Sequence, residues 1–282
     1  ATMPLLRGAF EQRLSLTDSV HRRLMRDFRL YMLIGGMPQA VDAYLERQDL
    51  SYVDRVKRRI IELYDEDFLK IDPSRRASRL FRSIPQQLAS NVTRFRVGGV
   101  LDANDRAHMA EEAIEAMVDS MTVNMAHHAN DPHVGMAMHS SLSAYKLYLA
   151  DTGLFVTMAF MDKDVTENII YQKLLSDKLS TDMGYVYENV VSQMLLAAGN
   201  RLFYYTFAKD DKHKYEIDFL LSRGAKVSPI EVKSSGYKTH ASLDAFCQKY
   251  SDRVDQRYLI YTKDLRKDGA LLCLPVYMTP FL

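Results

Sequence analysis

The chain has 282 residues, 47% of them hydrophobic and 26% charged, the balance of a soluble globular protein with enough apolar material for more than one core. Its net charge is +1, which excludes a cationic tail or a strongly basic surface as a property of the whole molecule. No run reaches the length of a membrane span, no basic segment followed by an apolar run opens the chain, and Cys247 and Cys273 lie apart in apolar sequence. The expectation is a cytoplasmic protein with two reduced core thiols and no membrane partner.

Residues 5–72 read as helical. Leu24, Phe28, Tyr31 and Met32 recur at helix spacing, Gly35-Gly36 breaks the pattern, and Pro38 suits the first turn of the next helix. Gly35-Gly36 has no strand before it and no lysine after it, so it reads as a helix-breaking turn and not as a phosphate cradle. Ile60, Ile61, Leu63 and Tyr64 make a further apolar face before a break at Asp72-Pro73.

Residues 73–160 change character. Ala77, Leu80, Phe81, Ile84 and Leu88 form one helix stripe, interrupted by Pro85. Thr93 to Val97 alternates as a short strand would. Ala107, Ala110, Ile114, Met117, Val118 and Met121 form a second stripe, and Tyr145 to Leu149 is an alternating strand. Helices mixed with short strands predict a winged-helix-like domain.

Residues 161–180 read as a helical linker. From Gly184 the periodicity sharpens. Tyr187, Val190, Val191, Met194 and Leu195 fall on one helix face. Leu202–Thr206, Tyr215–Leu221 and Val227–Lys233 are strands, Leu243–Tyr250 is a helix, and Tyr258–Tyr261 is a strand. Leu271–Tyr277 reads as an edge strand because it holds Pro275. The core order is α-β-β-β-α-β. The domains expected are 1–72, helical; 73–160, winged-helix-like; and 161–282, α/β.

The chemistry-bearing residues lie on the second and third strands of the last domain. Alternation puts Ile217, Phe219 and Leu221 on one face and Asp218 on the other. It likewise separates Ile230 and Val232 from Glu231 and Lys233. A plain hairpin would bring Asp218, Glu231 and Lys233 together. Two carboxylates bind a hard divalent cation such as Mg²⁺ through oxygen. Such an ion polarises a phosphoryl oxygen and acidifies a bound water, and a neighbouring lysine orients that water. Glu188, on the preceding helix, offers a further carboxylate. The alternative for an alternating Glu-x-Lys strand is a solvated face with a same-face charge pair.

Gly184-Tyr-Val-Tyr-Glu188-Asn189, then Glu216-Ile-Asp218-Phe219, then Pro229-Ile-Glu231-Val-Lys233-Ser234 resemble the PD-(D/E)xK nuclease superfamily. More narrowly, they resemble the C-terminal domain of a family of prokaryotic AAA-type ATPases. Gly35-Gly36-Met37-Pro38-Gln39-Ala40-Val41, Tyr64-Asp-Glu-Asp67-Phe68-Leu-Lys70 and Lys146-Leu-Tyr148-Leu-Ala-Asp151-Thr-Gly153-Leu154 extend the likeness upstream, so that it covers nearly the whole chain from about Leu24. Ile217 stands where the superfamily's namesake proline precedes the aspartate. The resemblance implies a restriction-endonuclease-like fold for 161–282, with Glu188, Asp218, Glu231 and Lys233 as catalytic residues and Asp218 and Glu231 as metal ligands. It implies Mg²⁺ as cofactor and DNA as substrate. In that family a nucleotide-binding domain precedes these segments. This chain has no G-x-x-x-x-G-K-[ST], so ATPase activity is not expected of it, ATP would act only through an N-terminal domain absent from the chain, and residues 1–72 would be the remainder of the ATPase module or the junction after it.

The competing expectation is a catalytically silent module that binds nucleic acid or a protein partner, or self-associates. A third is a DNA-binding regulator acting through Arg75, Arg76, Arg79 and Arg82 on one helix. The following helix opposes base reading, since Glu111, Glu112, Glu115 and Asp119 would face a phosphate-lined groove. His127, His128, His133 and His139 fit no zinc-ligand spacing and read as loop decoration.

Overall fold

A computed structural model describes residues 2–101, 107–133, 135–138, 140–161, 168–176, 183–235 and 239–282. In chain order its helices are α1 (Thr2–Gln12), α2 (Asp18–Ile34), α3 (Pro38–Arg47), α4 (Leu50–Ile71), α5 (Arg76–Ala89), α6 (Ala107–Asp119), α7 (Thr152–Ala159), α8 (Asn168–Leu175), α9 (Gly184–Ala197) and α10 (Ala241–Lys249). Its strands are β1 (Val123–Ala129), β2 (Ser140–Leu149), β3 (Phe203–Ala208), β4 (Lys214–Arg223), β5 (Lys226–Val232), β6 (Arg257–Tyr261), β7 (Arg266–Asp268) and β8 (Leu271–Pro275). The fold is mixed α/β. The chain divides into two compact units, one of Ala1–Met25, Ala126–Lys146 and Met194–Leu282, the other of Arg26–Met125 and Leu147–Gln193.

The second unit is helical, and its joints are polar. Pro38 opens α3 at the position where a missing N–H costs nothing. Asp49 caps α4 by accepting from the Ser51 and Tyr52 amides at 2.9 and 3.2 Å. Asp151 caps α7 through the Leu154 amide at 2.8 Å and also accepts from the Gly36 amide at 2.6 Å. That second bond brings the turn at Gly35 against the start of α7. Gly35 has φ +83°, and a Cβ there would meet the Asp151 carboxylate at 2.3 Å. A Cβ on Gly153 would lie 2.5 Å from the Ile34 carbonyl oxygen.

Beneath this joint lies Lys57, fully buried, donating to the Leu33 and Gly153 carbonyls at 2.5 and 3.1 Å. Burial pulls its ammonium down to about 8. One helical turn away, buried Asp54 accepts from Arg58 at 2.7 Å, from the Tyr171 hydroxyl at 2.5 Å and from Thr157 at 3.2 Å. The α5 stripe expected from spacing is buried at Ala77, Leu80, Phe81, Ile84 and Leu88, and the Phe81 ring meets those of Tyr64 and Phe68 edge-on.

The first unit is built on an eight-stranded sheet ordered β2-β1-β3-β4-β5-β6-β8-β7. Strands β3, β4 and β5 run antiparallel; β5, β6 and β8 run parallel. With α9 and α10, the order from α9 to β6 is the expected α-β-β-β-α-β. Tyr205, Phe207, Ile217, Leu220, Val227, Leu243, Phe246, Leu259 and Cys273 belong to one apolar cluster, which α10 enters through Leu243 and Phe246. Cys247 and Cys273 are both buried.

Three expectations are corrected. Thr93 to Val97 is not a strand, because its alternating residues gain no ladder partner. Strands β1 and β2 are not a separate wing: β1 pairs parallel with β3 and so extends the main sheet. Strand β8 is interior, between β6 and β7, because Pro275 sits at its last position, where it interrupts little of the ladder. The edge is the three-residue β7, whose Arg266, Lys267 and Asp268 are exposed and charged, a composition that resists pairing with another sheet. The linker expected over 161–180 lies partly outside the described residues; its described part contains α8.

Candidate functional site

Strand β4 carries an irregularity at the residues of interest. Phe203 pairs with Leu220 and Tyr205 with Ile217, so two steps on β3 span three on β4. The extra residue falls in the stretch holding Asp218 and Phe219. A bulge of this kind bends the strand and re-aims its side chains. On the other side the β4–β5 register runs from Arg223↔Lys226 to Phe219↔Ile230. Beyond it, the Val232 amide donates to Asp218 Oδ2 at 2.7 Å, so a side chain takes the place of a ladder partner. Glu216 stands two residues before Asp218. Carboxylate oxygens of the two lie within 4.8 Å of one another.

Strand β5 supplies the second set. Glu231 is 6% exposed, and its Oε1 is 2.6 Å from Lys233 Nζ. Its Oε2 is buried and has no hydrogen-bond partner among the described residues. The Lys233 side chain is 37% exposed, so the ammonium reaches solvent. Glu231 is in register with Leu259 of the apolar cluster. Glu216 lies next to Ile217, a member of that cluster. Two close pairs are described, Glu216 with Asp218 and Glu231 with Lys233. Asp218 joins the pairs, because the amide it binds belongs to Val232, the residue between Glu231 and Lys233.

Two members were not singled out from the sequence. Glu216 is ion-paired with Lys146 of β2, whose Nζ also lies 5.5 Å from the centre of the Tyr204 ring. Lys146 is 5% exposed. The signal was present in both cases: Glu216 shares Asp218's alternation, and Lys146 sits in an apolar alternating strand where a lysine must find a partner.

Glu188 lies in the other unit, on α9, where its Oε1 accepts from the Tyr148 hydroxyl at 2.5 Å. Its neighbour Asn189 accepts from the Leu149 amide at 2.8 Å and donates to the Leu149 carbonyl at 3.1 Å, acting as a strand edge would. Of the arginines on α5, Arg82 is bound to Asp65, with Nε at 2.9 Å, and Arg76 lies 3.4 Å from Asp72. The acidic side of α6 is exposed at Glu111, Glu112 and Glu115. His128 Nε2 is 3.0 Å from Thr206 Oγ1, and burial lowers the basicity of both His127 and His128. His139 lies outside the described residues.

The donor set suits a hard cation. Glu216 and Asp218 offer carboxylate oxygens close enough to share one ion, with no sulfur or imidazole between them.

Residues 25–165 match the family model described as Domain of unknown function (DUF8612), and residues 183–277 match that described as Domain of unknown function (DUF4143). DUF4143 is a domain found in AAA-ATPase-associated proteins. No curated protein and no solved structure matches the chain.

Proposed function

The chain belongs to the DUF8612 family, whose model spans half of its length, and from this chain's C-terminal strands we propose metal-dependent hydrolysis of DNA phosphodiester bonds. On this reading residues 161–282 form a restriction-endonuclease-like module, and the chain is the C-terminal region of a prokaryotic AAA-type ATPase. The observation that carries the reading is the pair of carboxylates on β4, Glu216 and Asp218, with Asp218 bonded to the strand that bears Glu231 and Lys233.

Asp218 and Glu216 would hold Mg²⁺ through oxygen, and the buried Oε2 of Glu231, which has no hydrogen-bond partner among the described residues, is a further acceptor on the adjoining strand. When bound, the ion supplies Lewis acidity at a phosphoryl oxygen and makes a bound water more acidic. Lys233, anchored by Glu231 yet open to solvent, orients the attacking water and stabilises the negative charge that develops on phosphate. Glu188 enters through its motif, and its Oε1 accepts from the Tyr148 hydroxyl.

The test is nicking of supercoiled plasmid with Mg²⁺ or Mn²⁺. The parent should nick, while Asp218→Asn and Lys233→Met should lose about a hundredfold or more, the scale of losing one group that stabilises transition-state charge. Equal nicking by all three, or none by the parent with any divalent ion, would count against the reading.

A second reading, a binding or assembly module without catalysis, is favoured by one observation: Glu216 and Glu231 are each ion-paired with a lysine of the chain, Lys146 and Lys233. It requires that DNA or a protein partner be retained equally by the parent and Asp218→Asn, with no dependence on divalent ions.

A further inference from the structure

Lys146 is the least expected charge in the first unit. It is 5% exposed, on a strand, with its ammonium placed between the Glu216 carboxylate and the face of the Tyr204 ring. A buried lysine costs several kcal/mol in lost hydration, and it persists where a carboxylate answers it. Here that carboxylate is also one of the two that come within 4.8 Å of each other on β4. Two carboxylates at that separation repel, and a cation beside them relieves the repulsion. Lys146 supplies that cation from within the chain.

We infer that Lys146 is a resident counter-ion that competes with a divalent cation for Glu216, and so sets how much metal is needed to fill the β4 carboxylate pair. The inference rests on the metal-site reading above but not on hydrolysis. The competition is electrostatic and local. With Lys146 on Glu216, an entering cation meets a half-neutralised pair and must displace the ammonium. The displaced ammonium keeps the Tyr204 ring as a neighbour, whose face attracts a cation. Glu231 has its own lysine, Lys233, whose ammonium is 2.6 Å from its Oε1.

The experiment is calorimetric titration of the whole chain with Mn²⁺, supported by thermal melts with and without the ion. Lys146→Met should bind Mn²⁺ about tenfold more tightly than the parent, the effect of removing one nearby like charge. It should also melt lower without ion and gain more from saturating Mn²⁺, because binding to the folded state alone raises stability. Glu216→Gln, with Lys146 in place, should bind more weakly than the parent. Should Lys146→Met fail to fold, Lys146→Gln replaces it, since its amide still donates to Glu216. Equal affinity in parent and lysine variants, weaker binding after loss of Lys146, or no Mn²⁺ binding by any of them would overturn the inference. Lysine-dependent Mn²⁺ binding by a chain that nicks no plasmid would support it while sinking the hydrolase reading.

Discussion

The Asp218 carboxylate accepts the Val232 amide at 2.7 Å, the point at which a β-bulge on β4 is tied to the strand bearing Glu231 and Lys233. One residue thus has two tasks, closing a gap in the sheet and lending charge to Glu216. The tasks separate by substitution. Asp218→Asn keeps an acceptor for Val232 and should cost less than about 1 kcal/mol in urea unfolding, whereas Asp218→Ala orphans the amide and should cost about 1–3 kcal/mol. Both should abolish nicking. Equal destabilisation by the two variants would mean that the amide bond contributes nothing.

The Gly35–Asp151–Gly153 joint yields a packing prediction. A Cβ at Gly153 would sit 2.5 Å from the Ile34 carbonyl oxygen and 2.6 Å from Gly35 Cα, both backbone atoms with little room to yield. Gly153→Ala should destabilise the helical unit by about 3 kcal/mol in chemical unfolding, as overpacking against rigid backbone does. A loss below 1 kcal/mol would show that the joint relaxes freely.

Buried Lys57 should give a stability slope in the alkaline range. Its folded-state value of about 8 lies below the 10.5 of a free lysine. Between these values the unfolded chain holds the proton and the folded chain does not, so stability rises with pH across that window; below pH 8 the burial cost is constant. Relative to Lys57→Met, the parent should gain about 3 kcal/mol between pH 8 and 10.5, at about 1.4 kcal/mol per unit. Parallel melting curves for the two proteins across that range would refute the assignment.

Asp54 serves the same unit. Removing it as Asp54→Ala takes from the Arg58 guanidinium and the buried Tyr171 hydroxyl an acceptor they share at 2.7 and 2.5 Å. The cost should be about 3–5 kcal/mol, the range for breaking one side of a buried ion pair. Differential scanning calorimetry reads it directly, and an unchanged transition would mean that the network is dispensable.

Much of the C-terminal architecture was legible because its periodicities are clean. Val190, Val191, Met194 and Leu195 repeat at helix spacing, and β4 to β6 alternate between Gly184 and Tyr261 without interruption by proline, apart from Pro229. The misreadings have local causes. A bulge inserts one residue without any mark in composition, so the extra residue at Asp218 and Phe219 could not be read from alternation. Strand β7 is three charged residues long, too short for any period, and Pro275 then looked like an edge marker. Strand β1, with its adjacent His127 and His128, lacks the pattern of a sheet strand and gains its place by pairing with β3. Glu216 and Lys146 each carried a local signal, but an ion pair between residues 70 apart leaves no spacing that joins them.

Asp218 is proposed to hold a divalent ion. Crystals soaked in Mn²⁺ test it most directly through anomalous scattering. A peak is expected about 2.2 Å from an Asp218 carboxylate oxygen, in contact with Glu216 and absent in Asp218→Asn. Saturating Mn²⁺ with no peak at Asp218, or a peak that persists unchanged in Asp218→Asn, would contradict it.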